Sequence, residues 1–361
     1  MIINSHDEND NIGIGNTFIG RNAGAKNTCG FWNTFLGAGS GQFNDTGSLN
    51  TFLGHESGVN NTSGKWNTFI GANTAYTNSI GAGNTFLGQG AGFFNTTGSR
   101  NTFVGTQSGD YNTIGNDNTM LGYFAGYNCK SDNNTFIGMK AGWQNETGKN
   151  NVLIGNHSGT QNISGNSNIL IGHFSKMGYP NISSSISLGC STLVTHDHQF
   201  VVGSPIKGYE ITDVYFGQGV ETEQPKGVCI HASGGENKNA TGGDLTLAGG
   251  IGMGKGKGGS IKFSTSEEEQ TEWLRHELKE RACLNSKGNF GIGEKNPATR
   301  LDLNGAMTYS ALSEDPEDPE EGHSVIWLSD GTGSGDNGDV MIKITACGTT
   351  KVITMIDFSE R

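Results

Sequence analysis

A phrase of the type Asn-Thr-Phe-Ile-Gly returns ten times between Asn16 and Gly172. Its closing glycines are Gly20, Gly37, Gly54, Gly71, Gly88, Gly105, Gly122, Gly138, Gly155 and Gly172. They stand 17 residues apart, with one step of 16 between Gly122 and Gly138. Weaker echoes follow at 186–189 and 200–203. A period this short constrains the chain severely. No single repeat can bury a core, so the repeats must stack as coils of a solenoid.

Within each period a second glycine often stands four places after the anchor (Gly24, Gly41, Gly58) and a third ten places after it (Gly30, Gly47, Gly64). Glycine reaches backbone angles that other residues avoid, so these columns predict corners. About five residues remain between corners, which suits strands and excludes helices. The expected coil is therefore a β-arch. The column before the second glycine is always small, from Ala23, Ser40 and Ser57 to Ser175. The Asn column that opens each phrase (Asn16, Asn33, Asn50 and onward) predicts a structural amide ladder.

Two apolar columns are adjacent in sequence, and neighbours in a strand point to opposite faces. One column, Phe18 to Leu170, fills the coil. The other then faces outward: Ile19, Leu36, Leu53, Ile70, Leu87, Val104, Leu121, Ile137, Ile154 and Ile171. Ten rungs of exposed Ile, Leu and Val would be a large apolar patch on a monomer. Copies of the same chain can bury it around a shared axis, so this row is the expected oligomer interface. A trimer is the natural number for a fibre, although the pattern alone does not fix it.

The repeats Asn33-Thr-Phe-Leu-Gly-Ala-Gly-Ser-Gly and Asn84-Thr-Phe-Leu-Gly-Gln-Gly-Ala-Gly resemble the head repeats of trimeric autotransporter adhesins and of related viral tail fibres. The resemblance covers about residues 12–203. It implies an all-β fold: a trimeric left-handed β-roll or β-solenoid shaft followed by small interlocked β-rich tip domains. The period of 17 exceeds the one common in the adhesins and implies larger loops.

Composition agrees with a thin core completed by partner chains. Of 361 residues, 59 are glycine and 33% are hydrophobic, which is core-poor for a globular protein of this length. The net charge of −12 argues against nucleic-acid binding. Residues 12–189 hold six acids and eight bases, whereas 204–361 hold 25 acids and 15 bases. The acidic half is read as a solubilised tip at least as readily as a recognition surface. Six dispersed cysteines without a CxxC pair predict free thiols. No apolar run long enough for a membrane span and no leader-like opening are present, so assembly in a host cytoplasm is expected.

The period organises residues 1–203. Residues 204–265 form a glycine-rich module in which Leu245 and Leu247, and Ile261 and Phe263, predict short strands. Its Gly250-Ile-Gly-Met-Gly-Lys lacks the helix and hydroxyl residue of a phosphate loop. Residues 266–312 are a joint whose first part, 266–283, predicts a helix capped by Ser266, or else a loop leading into a strand at 278–284. Here the stretch Gly291-Ile-Gly, then Pro297, then Leu301-Asp302 resembles the joint before fibre tips. No self-cleaving domain is expected after it. Residues 313–361 begin with an acidic, proline-punctuated linker. They continue as a β-meander with strands at 324–328, 339–346 and 351–358, a tip too small to be comfortable alone.

Candidate sites are few. His196 and His198 flank Asp197 where the solenoid ends. On a strand they would share a face, and around a threefold axis three such pairs would surround one metal ion. Some viral fibre tips use this motif. A solvated turn is the competing reading, since one HxH pair is a weak metal signal. Asp336 and Asp339 read as a polar hairpin turn before a calcium site. Trp32, Trp66 and Trp143 stand on outer columns where they could stack on sugars. No cofactor is expected, and no catalytic constellation can be assembled, because paired carboxylates across a groove are missing. The expected function is a non-enzymatic virion fibre, exposed on the virion surface. It would bind a host glycan or protein and dock on another virion protein through its N-terminus, without membrane insertion. The alternatives are a bacterial surface adhesin or extracellular filament subunit, and a monomer binding ice through its Thr rows (Thr17, Thr34, Thr51, Thr68).

Overall fold

The structure is a computed structural model. It describes residues 2–4, 13–204, 206–207, 211, 214, 230, 244–253, 255–266, 278–308 and 310–357. The described residues form strands, turns and loops, with no helix among them. The chain divides into two compact units, Met1–Lys226 and Gly227–Arg361.

The first unit is the β-solenoid. Each coil contributes one three-residue strand, such as Thr34–Leu36 and Thr51–Leu53, to a 13-stranded sheet. The strands stack in parallel and in register, Thr on Thr and Phe on Phe. The exception is Ile2–Asn4, which pairs antiparallel with Thr17–Ile19 at the first coil. An antiparallel strand there covers an edge that would otherwise invite another chain.

The expected β-arch is simpler than its glycines suggested. In most coils the remainder is a run of tight turns, and only the last coils add a second strand, Lys176–Met177 paired in parallel with Leu193–Val194. Those turns bond to the neighbouring coils as a strand does: Gly24 N–H donates to Ser40 O, Lys26 to Gln42 O and Gly39 to Arg21 O, at 2.9–3.0 Å. The solenoid therefore pairs its backbone between coils around most of its circumference, which is what a buried backbone requires.

Inside runs the Phe column. Phe35, Phe52, Phe69, Phe86, Phe103 and Phe136 have no exposed surface. From Phe18 to Phe103 the rings lie face on face, 4.5–5.1 Å between centroids and within 20° of parallel. Burial and ring pairing together make each inner Phe worth roughly 2–4 kcal/mol. The small column lies beside the rings, and its hydroxyls work: Ser40, Ser57, Ser108 and Ser158 Oγ donate to the carbonyl twelve residues on, at 3.0–3.2 Å.

The glycine columns do three different jobs. The anchors hold φ of +127° to +143°, and a Cβ there would lie 2.1–2.7 Å from the next anchor's backbone carbonyl group. The second column sits near φ +60° against the coil's own apolar side chain. The third is not a corner. It is absent from the positive-φ set, and a Cβ there would strike an Asn side chain and the next coil's carbonyl.

Those Asn side chains form two buried ladders. The expected one runs through Asn16, Asn33, Asn50 and Asn67. Each Oδ1 accepts the backbone N–H of the next member at 2.8–3.0 Å, and Nδ2 donates to the third-column carbonyl. The second ladder, unforeseen from the repeats, runs through Asn27, Asn44, Asn61, Asn78 and Asn95, with amide-to-amide bonds of 2.7–2.8 Å. It breaks in the short coil, where Cys129 replaces Asn. Neither amide atom of Asn112 finds a partner, and Asn95 Oδ1 lacks its donor. Below the break, Ser131 Oγ donates to Gly148 O at 2.6 Å, and Asn145 Nδ2 reaches Cys129 Sγ at 3.5 Å.

Burial pushes the Cys129 thiol up from its ordinary range, and the thiolate is the reactive form. In native protein a thiol reagent is expected to label exposed Cys29 and Cys347 and to leave buried Cys129 and Cys283 untouched. Mass spectrometry of the labelled peptides checks this. Labelling of Cys129 at the rate of Cys29 would contradict the buried ladder.

The described residues of the second unit form two four-stranded sheets. In one, Ile261–Ser266 pairs antiparallel with Leu278–Leu284, which pairs with Phe290–Ile292 and then Leu301–Leu303. The helix expected over 266–283 is overturned at both ends. Ser266 closes a strand instead of capping a helix, and 278–284 is a strand because its backbone pairs on both sides. Residues 267–277 lie outside the described set. Leu245 and Leu247 are exposed and form no strand. The other sheet is the expected meander, Ser324–Ser329, Val340–Ala346 and Thr349–Ile356 in antiparallel order, with Ala311–Leu312 added in parallel. Cys347 and Gly348, both at positive φ, make its tight turn.

Candidate functional site

The outward face of the solenoid sheet is its most regular surface. Thr and Ile or Leu flank each buried Phe, so both flanking rows share the outer face. Six of the ten expected interface residues are well exposed: Ile19, Leu36, Leu53, Leu87, Leu121 and Ile171, at 38–45%. Ile70, Val104, Ile137 and Ile154 are half-buried. The row stacks residue on residue from Ile19↔Leu36 to Ile154↔Ile171. At about 4.8 Å per coil the stripe is roughly 43 Å long. The Thr row runs parallel to it, beginning with Thr17, Thr34, Thr51 and Thr68.

His196 and His198 do not lie on a strand. They are exposed in a turn after Leu193–Val194, and His198 takes φ +60°. The alternation that would aim both rings one way does not apply there. Asp197 Oδ1 accepts the Ser183 N–H at 2.8 Å, and His198 N–H bonds Ser183 O, so the turn is tied to the coil below it. Among the described residues, carboxylates gather at Asp336, Asp339 and Asp357, with oxygens within 4.8 Å of one another. Asp339 Oδ2 accepts the Asp336 N–H at 2.8 Å, as a polar hairpin turn requires.

Trp32 and Trp66 are exposed, each at positive φ. Trp143 carries Lys140 above its ring at 5.4 Å. The larger aromatic surface lies elsewhere, on the turns that follow the anchor glycines. There Tyr76, Phe93, Phe94, Tyr111 and Tyr127 form a chain of contacting rings with neighbouring centroids 4.7–5.1 Å apart. Phe93, Phe94, Tyr111 and Tyr127 border a concavity of about 260 Å³ that also takes in Asn73, Gln89, Gln107 and Asp110. Asp110 is 4% exposed, and burial pushes its carboxyl up to about 6, against the hydrogen bond from Gln107. The sequence signal for this cluster was present but faint: Tyr76, Phe93, Asp110 and Tyr127 occupy one column, 17 residues apart.

These features define a class: a parallel β-solenoid whose coils stack short strands in register, with a stacked aromatic core and an outer face of Thr and Ile, Leu or Val rows. Comparison with protein-family models, with curated proteins and with solved structures finds no match.

Proposed function

We propose that this chain is the structural and host-recognition subunit of a virion fibre, a non-enzymatic homotrimer whose solenoid is the shaft and whose acidic C-terminal sheets are the tip. The observation that supports it is the outward Ile/Leu/Val row, continuous over ten coils and half exposed in the single chain. An apolar stripe of that length is stabilised when identical rows meet around a common axis. Three identical tips then multiply weak contacts with a cell surface into firm attachment. The repeat resemblance points the same way. A bacterial surface adhesin or filament subunit would use the same assembly.

Sedimentation equilibrium tests this reading. The expected mass is three times the chain's 38.1 kDa. Leu53→Asp with Leu87→Asp is expected to yield folded single chains, because each charge would be buried without a partner on the axis. A wild-type chain that sediments alone and stays soluble would overturn the proposal. In that event the even spacing of the Thr and Ile rows on one flat face favours an ice-binding monomer, with thermal hysteresis as its readout.

A further inference from the structure

We infer that the concavity bordered by Phe93, Phe94, Tyr111 and Tyr127 is a binding site for an amino sugar carrying a free ammonium group, presented by a surface glycan. Three observations carry this. First, the walls are angled. Phe93 meets Phe94 at 67° and Tyr111 meets Tyr127 at 69°, so the aromatic rings that line the space lie in different planes. Aromatic faces attract cations and pack against the apolar face of a pyranose.

Second, the polar atoms without partners are acceptors. Asp110 Oδ1 and Asn73 Oδ1 are both buried and accept no hydrogen bond. Buried acceptors are ordinarily satisfied, so two orphans at one concavity ask for a donor from outside the chain. Gln107 Nε2 reaches Asp110 Oδ2 at 3.5 Å, and the Tyr127 hydroxyl and the Phe93 N–H also bond this carboxyl, which still leaves Oδ1 without a partner.

Third, no lysine, arginine or histidine borders the site. The titratable groups facing Asp110 are Tyr111 and Tyr127, and the Tyr127 hydroxyl is itself held protonated, pushed up to about 12. The carboxylate's countercharge must therefore come with the ligand. The volume lies below the roughly 300–1,000 Å³ of sites for drug-sized molecules, which suits one sugar ring.

The inference rests on the fibre reading only for where the sugar comes from. The test is calorimetry of the full-length protein with glucosamine, N-acetylglucosamine and choline, beside sedimentation of the same samples. Glucosamine is expected to bind at least tenfold more tightly than N-acetylglucosamine, which keeps the ring and loses the charge. Choline, which keeps the charge without N–H donors or a ring, is expected to bind more weakly than glucosamine.

Asp110→Asn is expected to cut glucosamine affinity at least tenfold. Phe94→Leu is expected to cut it several-fold. Wild-type affinity is expected to rise between about pH 5 and about pH 7 as Asp110 ionises, and the Asp110→Asn profile to be flat over that range. Folding stability has the opposite sign. A carboxyl raised in the folded state costs stability once it ionises above its unfolded value, so Asp110→Asn is expected to raise the melting temperature near pH 7. Weaker binding by a more stable variant cannot be dismissed as misfolding.

Absence of glucosamine binding overturns the site. So does equal binding of the acetylated sugar, choline binding as tight as glucosamine, or an Asp110→Asn variant of unchanged affinity. A single-chain mass with glucosamine bound sinks the fibre and leaves the site. A trimer that ignores glucosamine does the reverse.

Discussion

Replacing Asn67 by leucine is expected to cost about 1–3 kcal/mol of folding stability. The change alters volume little and leaves the Phe stack intact. What it removes is a set of buried bonds. Asn67 Nδ2 donates to Gly81 O at 2.9 Å, and Asn67 Oδ1 accepts the Asn84 N–H at 2.9 Å. Leucine does neither, so at a position 1% exposed the Asn84 N–H is left unpaired, while Gly81 O keeps only the longer bond from Asn78 Nδ2 at 3.2 Å. A donor stranded away from water costs about 1–3 kcal/mol. The matched control is Thr68→Val on the outer face, expected to stay within about 0.5 kcal/mol. Denaturant titration at one protein concentration measures both, since assembly would shift apparent stability. A loss below about 1 kcal/mol for Asn67→Leu would show that the ladder is ornamental.

Gly88→Val should do more. A Cβ at Gly88 would lie 2.6 Å from both the carbonyl carbon and the oxygen of Gly105, at φ +137°. Neither coil can retreat: Gly88 N–H is bonded to Ile70 O and Gly105 N–H to Leu87 O, both at 2.8 Å. The expected cost exceeds about 4 kcal/mol, the range reserved for forced backbone rearrangement. Limited proteolysis is expected to cut the variant between coils where wild type resists. Gly83→Asn is the control. Gly83 also has positive φ, but nothing lies closer than 3.7 Å to its missing Cβ. Asn133 and Asn150 already hold the same angle in later coils. That variant should be nearly neutral, and one as unstable as Gly88→Val would refute the close-approach account.

The period made the solenoid legible, and with it the buried Phe column, the outward Ile row and the first Asn ladder. Each of these follows from alternation and stacking, which act on neighbours one coil apart. The meander was legible because Val340, Ile342 and Ile344 alternate with the residues between them. What escaped were features set by the path of the turns. Trp32, Leu49, Trp66 and Arg100 all hold positive φ in one column, at 55–61° with their non-glycine counterparts elsewhere; the only hint was Gly15 and Gly83 in that same column. The Asp110 concavity escaped because its rings and Asp110 itself lie five or six places beyond an anchor, on a turn no strand pattern describes. The 266–283 stretch misled because a capping serine and acids are local signals, and pairing by the flanking strands outweighs them.

The short coil between Gly122 and Gly138 bears on how the chain finds its stacking order. Nine interchangeable rungs could slide by one whole rung and still put Phe on Phe and Asn on Asn, at the loss of only the terminal contacts. The coil with Cys129 and Ser131 has one residue fewer and its own bonding partners, so it matches a single place in the stack. It serves as an index mark: a chain slipped by one rung would have to set this misfit against a full-length neighbour, and the native alignment is the one in which the misfit falls where its partners await it.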